Sequence, residues 1–268
     1  MSTISVASET NAPALHDRAA QVAHFKAHSY VVLPGILDAG QVADLNAAID
    51  RDRAAHPFLW WFAGNPNNGG NLLLTEPVFD LAPRLPVVLA LLGELMGSAF
   101  CFEELSVQIT EPSDAAHPTA WHRDTSYHEA HPLHLDYPQM ICYLTDVDES
   151  THAFTISGEA GGGAILPQDA HIERGGTTYF HGKAGTAILF NAATVHGATR
   201  RVTSDTRRIL QVYWGHESRP NLSDVTVTPP RLWRDAPDPD VRRFYSKHSR
   251  YSRVLNAAMG NPVREPAI

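Results

Sequence analysis

Histidine and acidic side chains cluster in one short segment, "WHRDTSYHEAHPLH" at residues 121–134. Within it, His122 and Asp124 form an H-x-D pair. Alternate side chains of an extended segment share a face, so both can point at one ion. A third ligand has to come from elsewhere in the fold, and His196 follows the apolar run 185–191, which reads as a buried strand. These three side chains predict a metal site.

Two imidazoles and one carboxylate can occupy one face of an octahedral ion and leave three positions open, as in non-haem Fe(II) oxygenases. The same ligands suit zinc, so a zinc-dependent hydrolase is an alternative. A non-catalytic jelly roll that binds a metal or ligand is another. Arg207 favours the oxygenase, because its guanidinium, following His196 in "HGATRRVTSDTRRILQVYW", can hold a carboxylate bidentately. Arg208 is the alternative residue for that role.

Three further histidines follow the H-x-D pair at every third position, His128, His131 and His134. Pro132 biases the residue before it away from helix, so the three need not share a face. We therefore infer no second metal site. Tyr127 and His128 are candidates for substrate contact, because they follow the ligands closely in the sequence.

Short β-type runs dominate the chain after residue 99, and their spacing predicts an antiparallel sandwich or barrel. The runs are 99–110, 140–147, 153–158, 185–191 and 208–215. Before them, apolar spacing predicts helices at 17–27, 38–53 and 83–97, with a strand within 29–37. A further helix is expected within 240–259. The predicted fold class is mainly β, with N-terminal helices and a C-terminal helix around the sheets.

The chain reads as a disordered lead at residues 1–14 and one domain over 15–268, with no internal repeat. The segment 56–74 is a long Gly/Asn/Pro-rich loop that carries Trp60 and Trp61. Such loops with aromatic side chains tend to be functional. Both tryptophans are therefore candidates to line a substrate pocket.

Composition restricts the class of partner. The net charge of −8 argues against nucleic acid, because phosphate binding needs a basic surface. No apolar run approaches the roughly 20 residues needed to cross a bilayer. The two cysteines, Cys101 and Cys142, lie in apolar runs and read as reduced residues of a cytoplasmic protein. We expect a small-molecule substrate and a monomer or homodimer.

The sequence resembles the phytanoyl-CoA dioxygenase-like family of Fe(II)/2-oxoglutarate-dependent oxygenases over most of its length. "HSYVVLPGILDAGQVADL" is similar to the family's N-terminal strand and helix, "WHRDTSY" to its W-H-x-D-x-x-Y segment, and "FNAATVHGATRRVTSDTRRILQVYW" to its distal-His and Arg segment. The resemblance implies a double-stranded β-helix, or jelly roll. It also implies that His122, Asp124 and His196 hold iron, and that Arg207 binds the distal carboxylate of 2-oxoglutarate.

The implied reaction uses Fe(II), 2-oxoglutarate and O2 to oxidise an unactivated C–H bond, with hydroxylation as the expected outcome and succinate and CO2 as by-products. Gln108, and after it Thr155 and Tyr143, are candidates for further cosubstrate contacts. The family often has P-G-S-H where this chain has "ISGEAGGG" at 156–163, so one loop near the site is unusual. The resemblance does not identify the substrate, although an acyl-CoA would need a basic patch that this acidic chain does not show.

Overall fold

The computed structural model describes residues 17–61, 67–97, 100–125, 135–160, 164–222, 224 and 226–263. Within them the strands are β1 Tyr30–Leu33, β2 Trp60–Trp61, β3 Asn67–Gly69, β4 Phe100–Thr110, β5 Pro138–Tyr143, β6 Ala153–Ile156, β7 Thr178–Phe180, β8 Ala187–Asn191, β9 His196–Thr199 and β10 Arg207–His216. The α-helices are α1 Arg18–His28, α2 Ala39–Ala55, α3 Leu72–Thr75, α4 Pro86–Met96, α5 Gln168–Gly175, α6 Pro230–Trp233, α7 Pro239–Phe244 and α8 Arg250–Ala258. None of these helices has the length and apolar character to span a membrane.

The strands form two antiparallel sheets. The larger sheet has the order β1-β8-β5-β10-β4-β3-β2, and the smaller has the order β7-β6-β9. Most neighbours in these sheets are distant in sequence, as expected of a jelly roll rather than of a series of hairpins. The predicted fold class, a mainly β jelly roll with flanking helices, is confirmed.

The two faces of the larger sheet differ because side chains alternate along each strand. Leu105 and Val107 of β4, with Leu210 and Val212 of β10, are fully buried in the core shared with the helices. Each such side chain contributes roughly 1.5–3 kcal/mol by burial. The opposite face turns toward the smaller sheet and carries both apolar side chains, such as Ile209, and polar ones, such as Arg207. This inner face is where the site is built.

Local signals explain the elements that the sequence predicted well. Asp38 accepts a hydrogen bond from the Gln41 amide and the Gln41 side chain bonds back to Asp38, a capping box that starts α2 where expected. The predicted C-terminal helix is instead two helices, because Ser249 accepts a hydrogen bond from the Ser252 amide and starts α8 afresh. The loop predicted at 56–74 contains β2, β3 and α3. The predicted lead at 1–14 lies outside the described residues.

A buried ion pair attaches the C-terminal segment to the larger sheet. Lys247, between α7 and α8, contacts the Glu103 carboxylate on β4 and donates to the carbonyls of His216 and Pro220 at 3.2 and 3.1 Å. The Glu103 side chain is 1% exposed. Burial raises the pKa of Glu103, and Lys247 opposes that rise. The ammonium therefore compensates a carboxylate that the fold has already removed from water.

Lys247→Met should destabilise the protein by about 3–5 kcal/mol, because it leaves a buried carboxylate without its cation. The Glu103 pKa should then rise further above its unfolded value. The deficit should be fully present above that folded pKa and shrink as the pH falls through it. Urea unfolding at several pH values measures this. The double variant Lys247→Met/Glu103→Gln should recover part of the loss at neutral pH; no recovery would contradict the pairing.

Candidate functional site

Three side chains converge at the open end between the two sheets. One donor atom each from His122, Asp124 and His196 lies within 4.8 Å of the others. The His122 Nε2 is 3.3 Å from Asp124 Oδ1, and the His196 Nε2 is 3.5 Å from Asp124 Oδ2. His196 is buried, whereas the His122 side chain is 52% exposed. One side of the cluster therefore faces the protein and the other is accessible.

Backbone pairing holds the two histidines together. His122 and His196 exchange N–H···O bonds of 2.9 and 3.0 Å, and the Asp124 amide donates to the Ala192 carbonyl at 3.0 Å. Gly197 permits this approach, because a Cβ there would lie 2.6 Å from the Ala120 carbonyl oxygen. The segment that carries H-x-D is therefore fixed against the strand that carries the distal histidine.

Hydrogen bonds also fix the ring orientations. The Nδ1–H of His122 donates to the Ala120 carbonyl, and that of His196 to the Thr194 carbonyl, each at 2.8 Å. A carbonyl can only accept, so each Nδ1 donates its proton to the main chain, and Nε2 is the ring nitrogen that faces Asp124. This is the arrangement of metal-binding imidazoles.

The negative charge of Asp124 also suits metal binding. Burial opposes its ionisation, but hydrogen bonds from His122 and His196 outweigh that cost and hold the Asp124 pKa below its ordinary value. The cluster therefore offers an anionic oxygen and two imidazole nitrogens, and a bound metal ion would replace the protons that those nitrogens donate to Asp124. This donor set fits a divalent ion such as Fe(II).

Arg207 lies in the same cavity, which has a volume of about 100 Å³. It is 2% exposed, and its Nη2 donates to Gln108 Oε1 at 3.3 Å and to Thr110 Oγ1 at 3.2 Å. Its Nε and Nη1 are buried without a hydrogen-bond partner. Burial lowers its pKa to about 10, and the nearby Arg200 adds to that effect. A buried cation with two unused donors fits an anionic ligand such as the distal carboxylate of 2-oxoglutarate.

The three other residues expected to contact the cosubstrate differ in where they lie relative to the cavity. Gln108 lies beside Arg207 in the cavity. Tyr143 points the same way, but its hydroxyl donates to the Phe180 carbonyl at 2.9 Å, and burial raises its pKa to about 12. Thr155 bonds Thr199 at 2.7 Å, on the face of β6 opposite to the cavity-lining Phe154. Strand alternation therefore places Thr155 on the side of β6 that faces away from the cavity.

The two tryptophans suggested for substrate contact point to opposite sides of the sheet. Trp60 packs against Gly69 and the helix-side core, and its Nε1 donates to Asp52 at 2.7 Å. Trp60 is therefore directed toward the helix-side core. Trp61 has the opposite direction and borders a separate hollow on the inner face. Tyr127 and His128 lie outside the described residues.

Tyr213 is a site residue that the sequence analysis missed. Its hydroxyl donates to Asp124 Oδ2 at 2.9 Å. Burial, followed by the charge of Asp124, raises the Tyr213 pKa well above its ordinary value, so the hydroxyl keeps the proton that it donates. The period-two spacing of Arg207, Ile209, Gln211 and Tyr213 along β10 is a signal that could have found it. Tyr213 holds the carboxylate in place from behind.

The sequence analysis also missed Glu159, which holds Arg123, the residue between His122 and Asp124. Arg123 donates to Glu159 Oε1 at 2.9 Å and also to the Ala193 carbonyl, in the turn that leads to His196. Glu159 is 6% exposed and accepts another bond from Arg174 at 3.3 Å. Glu159 belongs to the segment "ISGEAGGG", so this unusual segment supplies the carboxylate that binds Arg123.

A family model described as phytanoyl-CoA dioxygenase (PhyH) matches residues 25–209, a span that includes the three clustered side chains and Arg207. No curated protein matches the chain. The match to the family covers more than half of the sequence.

Solved structures share the fold. The chain is 25% identical to SnoN, a non-heme alpha-ketoglutarate-dependent epimerase from nogalamycin biosynthesis, with a TM-score of 0.62 over 76% of this chain and 86% of that chain. It is 19% identical to HygX from Streptomyces hygroscopicus with nickel and 2-oxoglutarate bound, with a TM-score of 0.62 over 86% and 94%. SnoK, a carbocyclase from nogalamycin biosynthesis, is 17% identical, with a TM-score of 0.61 over 73% and 83%.

Tyr213→Phe should lower the affinity for a divalent metal about 10- to 100-fold, because groups that orient a ligand carry that much of the binding. Co(II) titration against a competing chelator measures it. Tyr137→Phe is a matched control, since its buried hydroxyl donates to the Pro220 carbonyl and does not touch the cluster. Equal losses in both variants would show that Tyr213 only supports the fold.

Glu159→Gln should weaken both folding and metal binding, because it leaves Arg123 without its carboxylate beside the ligands. We expect a loss of about 3 kcal/mol in the free energy of unfolding, together with a weaker Co(II) affinity. Glu173→Gln, an exposed change on α5, should alter neither. A destabilised Glu159→Gln variant with unchanged metal affinity would show that Glu159 supports the fold but not the metal site.

Proposed function

Because the chain belongs to the phytanoyl-CoA dioxygenase family, we propose that it hydroxylates an unactivated C–H bond of a small organic molecule, such as a natural product. It is a 2-oxoglutarate-dependent non-haem iron dioxygenase that uses Fe(II), 2-oxoglutarate and O2. Succinate and CO2 are the expected by-products. Residues 15–268 act in this proposal as a single catalytic domain.

His122, Asp124 and His196 would hold the iron. When bound, iron and 2-oxoglutarate together supply the activation of O2 that the oxidation needs. The protein side chains position the reactants and keep water out. Nδ1 hydrogen bonds orient both imidazoles, and Tyr213 orients the carboxylate. A site fixed before binding spends less free energy on ordering its ligands.

Arg207 would anchor the distal carboxylate of 2-oxoglutarate. The observation that carries the proposal is the pair of unused Arg207 donors, Nε and Nη1, in the cavity that also holds the three ligands. Gln108 and Thr110 hold the guanidinium through Nη2 and leave those two donors available. A carboxylate there would compensate the buried cation through charge-assisted hydrogen bonds.

Apolar side chains form the walls around these polar groups. Ile141, Phe154 and Ile209 line the cavity and are each no more than 3% exposed. They exclude water from the reacting atoms, which strengthens the electrostatic contacts inside and limits side reactions. The protein needs no acid or base for hydroxylation of a C–H bond.

Hydroxylation is the outcome that requires the fewest additional groups. The similar structures include an epimerase and a carbocyclase, so the fold accommodates other outcomes. Mass spectrometry of the product distinguishes them. Hydroxylation adds one oxygen atom, epimerisation leaves the mass unchanged and ring closure removes two hydrogen atoms.

The test of the cosubstrate site compares adjacent arginines. Arg207→Ala should raise the KM for 2-oxoglutarate at least about tenfold, the effect of losing one or two hydrogen bonds to a charged group. Succinate release by the iron-loaded protein measures it. Arg208→Ala is the matched control, because Arg208 points outward and pairs with Asp50 at 2.7 Å. An unchanged KM in Arg207→Ala, or an equal rise in both, would contradict the assignment.

The metal assignment needs a separate readout. His122→Ala should abolish succinate release and the visible absorption of the anaerobic Fe(II)–2-oxoglutarate complex. A wild type with neither signal would reject the iron oxygenase and favour the zinc or binding-protein alternative. A wild type with the absorption but no succinate requires its substrate before it turns over.

A further inference from the structure

A second hollow, of about 290 Å³, lies on the inner face beyond the metal cavity. We call it the aromatic hollow, and it is lined by Phe58, Leu59, Trp61, Asn71, Asp224 and Tyr251. The residues that line the hollow do not overlap with those that line the metal cavity. The hollow is therefore separate from the cosubstrate site.

Strand register connects the hollow to the metal cavity. Trp61 on β2 pairs with Asn68 on β3, and Asn68 pairs with Gln108 on β4, which lines the metal cavity. Paired residues of antiparallel strands share a face, so the three side chains follow one row. Neighbouring strands are about 4.8 Å apart, which places Trp61 roughly 10 Å from Gln108. One molecule of moderate size can span that distance.

The walls of the hollow are aromatic and remain accessible. Phe58 is 79% exposed and Tyr251 is 37% exposed, unusual values for large apolar side chains. Aromatic faces attract cations and the apolar edges of rings. Such a group of side chains is typical of a surface that a ligand covers.

Two of the residues that line the hollow, Asp224 and Asn71, offer oxygen acceptors to a ligand. Asp224 brings a carboxylate whose contact within the described residues is the Tyr251 amide at 3.4 Å, and no arginine or lysine there pairs with it. Asn71 is 5% exposed, and its Oδ1 is buried without a donor. Asn68 Oδ1, in the row toward the metal cavity, is also buried without a donor. Buried acceptors of this kind require donors from elsewhere.

We infer that the aromatic hollow is the recognition subsite for an amine-bearing substrate. Its protonated amino group pairs with Asp224 and lies against the aromatic faces, while a C–H bond about 10 Å away reaches the metal cavity. Hydroxyl or N–H groups in between donate to Asn68 and Asn71. This inference rests on the proposed function and names the substrate class of the same site.

The carboxylate also disfavours one substrate class. A molecule with phosphate groups, such as an acyl-CoA, would place negative charge near Asp224 without a compensating cation in the hollow. The net charge of −8 acts in the same direction. The substrate is therefore expected to differ from the acyl-CoA in the family's description.

The test uses two probes of one shape, the cation 4-fluorophenethylamine and the neutral 2-(4-fluorophenyl)ethanol. Fluorine NMR titration of the iron-free, 2-oxoglutarate-free full chain measures both affinities. We expect the amine to bind at least about fivefold more tightly than the alcohol, the effect of a modest cation–π and ion-pair contribution. Equal affinities would overturn the inference.

Variants locate the effect. Asp224→Asn should bring the two probes to within about twofold of each other, whereas the exposed Asp169→Asn on α5 should preserve the difference. Phe58→Ala should weaken both probes. A preference for the amine that survives Asp224→Asn would overturn the subsite, and circular dichroism checks that each variant is folded.

Succinate release in the absence of substrate separates this inference from the proposed function. Asp224→Asn should leave that release and the KM for 2-oxoglutarate unchanged, because Asp224 lies outside the metal cavity. A raised KM would assign the hollow to the cosubstrate and overturn the inference. If the wild type lacked both succinate release and the visible absorption, the proposed function would fail, whatever the probes showed.

Discussion

The site depends on one backbone contact, the antiparallel pairing of His122 with His196. This pair joins two segments that are far apart in sequence and belong to different parts of the jelly roll. The ligand atoms meet only because the N–H and C=O groups beneath them are already paired. The Nδ1 bonds to Ala120 and Thr194 then set the rings. The geometry of the candidate metal site is thus set mainly by main-chain hydrogen bonds, and the side chains complete it.

The sequence predicted the chemistry of the site wherever residue spacing alone determines which way a side chain points. The H-x-D pair lies on a short extended segment, so His122 and Asp124 had to share a face. The family and the jelly roll followed from the same motifs and are confirmed by the family match over 25–209. Arg207 was separable from Arg208 only through the alternation of β10, and the structure turns the first inward and the second to Asp50.

Long-range pairing determined what the sequence could not predict. Trp60 and Trp61 are chemically equivalent neighbours, and only the pairing of β2 with β3 decides which one faces the helices. Thr155 depends on the register of β6 against β9 in the same way. The spacing along β10 indicates which way Tyr213 points, but its partner Asp124 appears only in the structure. Glu159 carries no such signal, and its role appears only through its contact with Arg123. These contacts cross between elements whose relative position no local pattern specifies.

The buried charge of Arg207 affects how stable the protein is with and without a bound anion. A guanidinium with two unsatisfied donors makes the empty enzyme the less stable form. Occupancy adds stability as RT ln(1 + [L]/Kd), so saturation with cosubstrate shifts the folding equilibrium. Proteases act on the opened chain, and enzyme abundance would therefore follow the metabolic supply of 2-oxoglutarate. Arg207, which we propose to bind the cosubstrate, would in this way also couple protein turnover to the supply of 2-oxoglutarate.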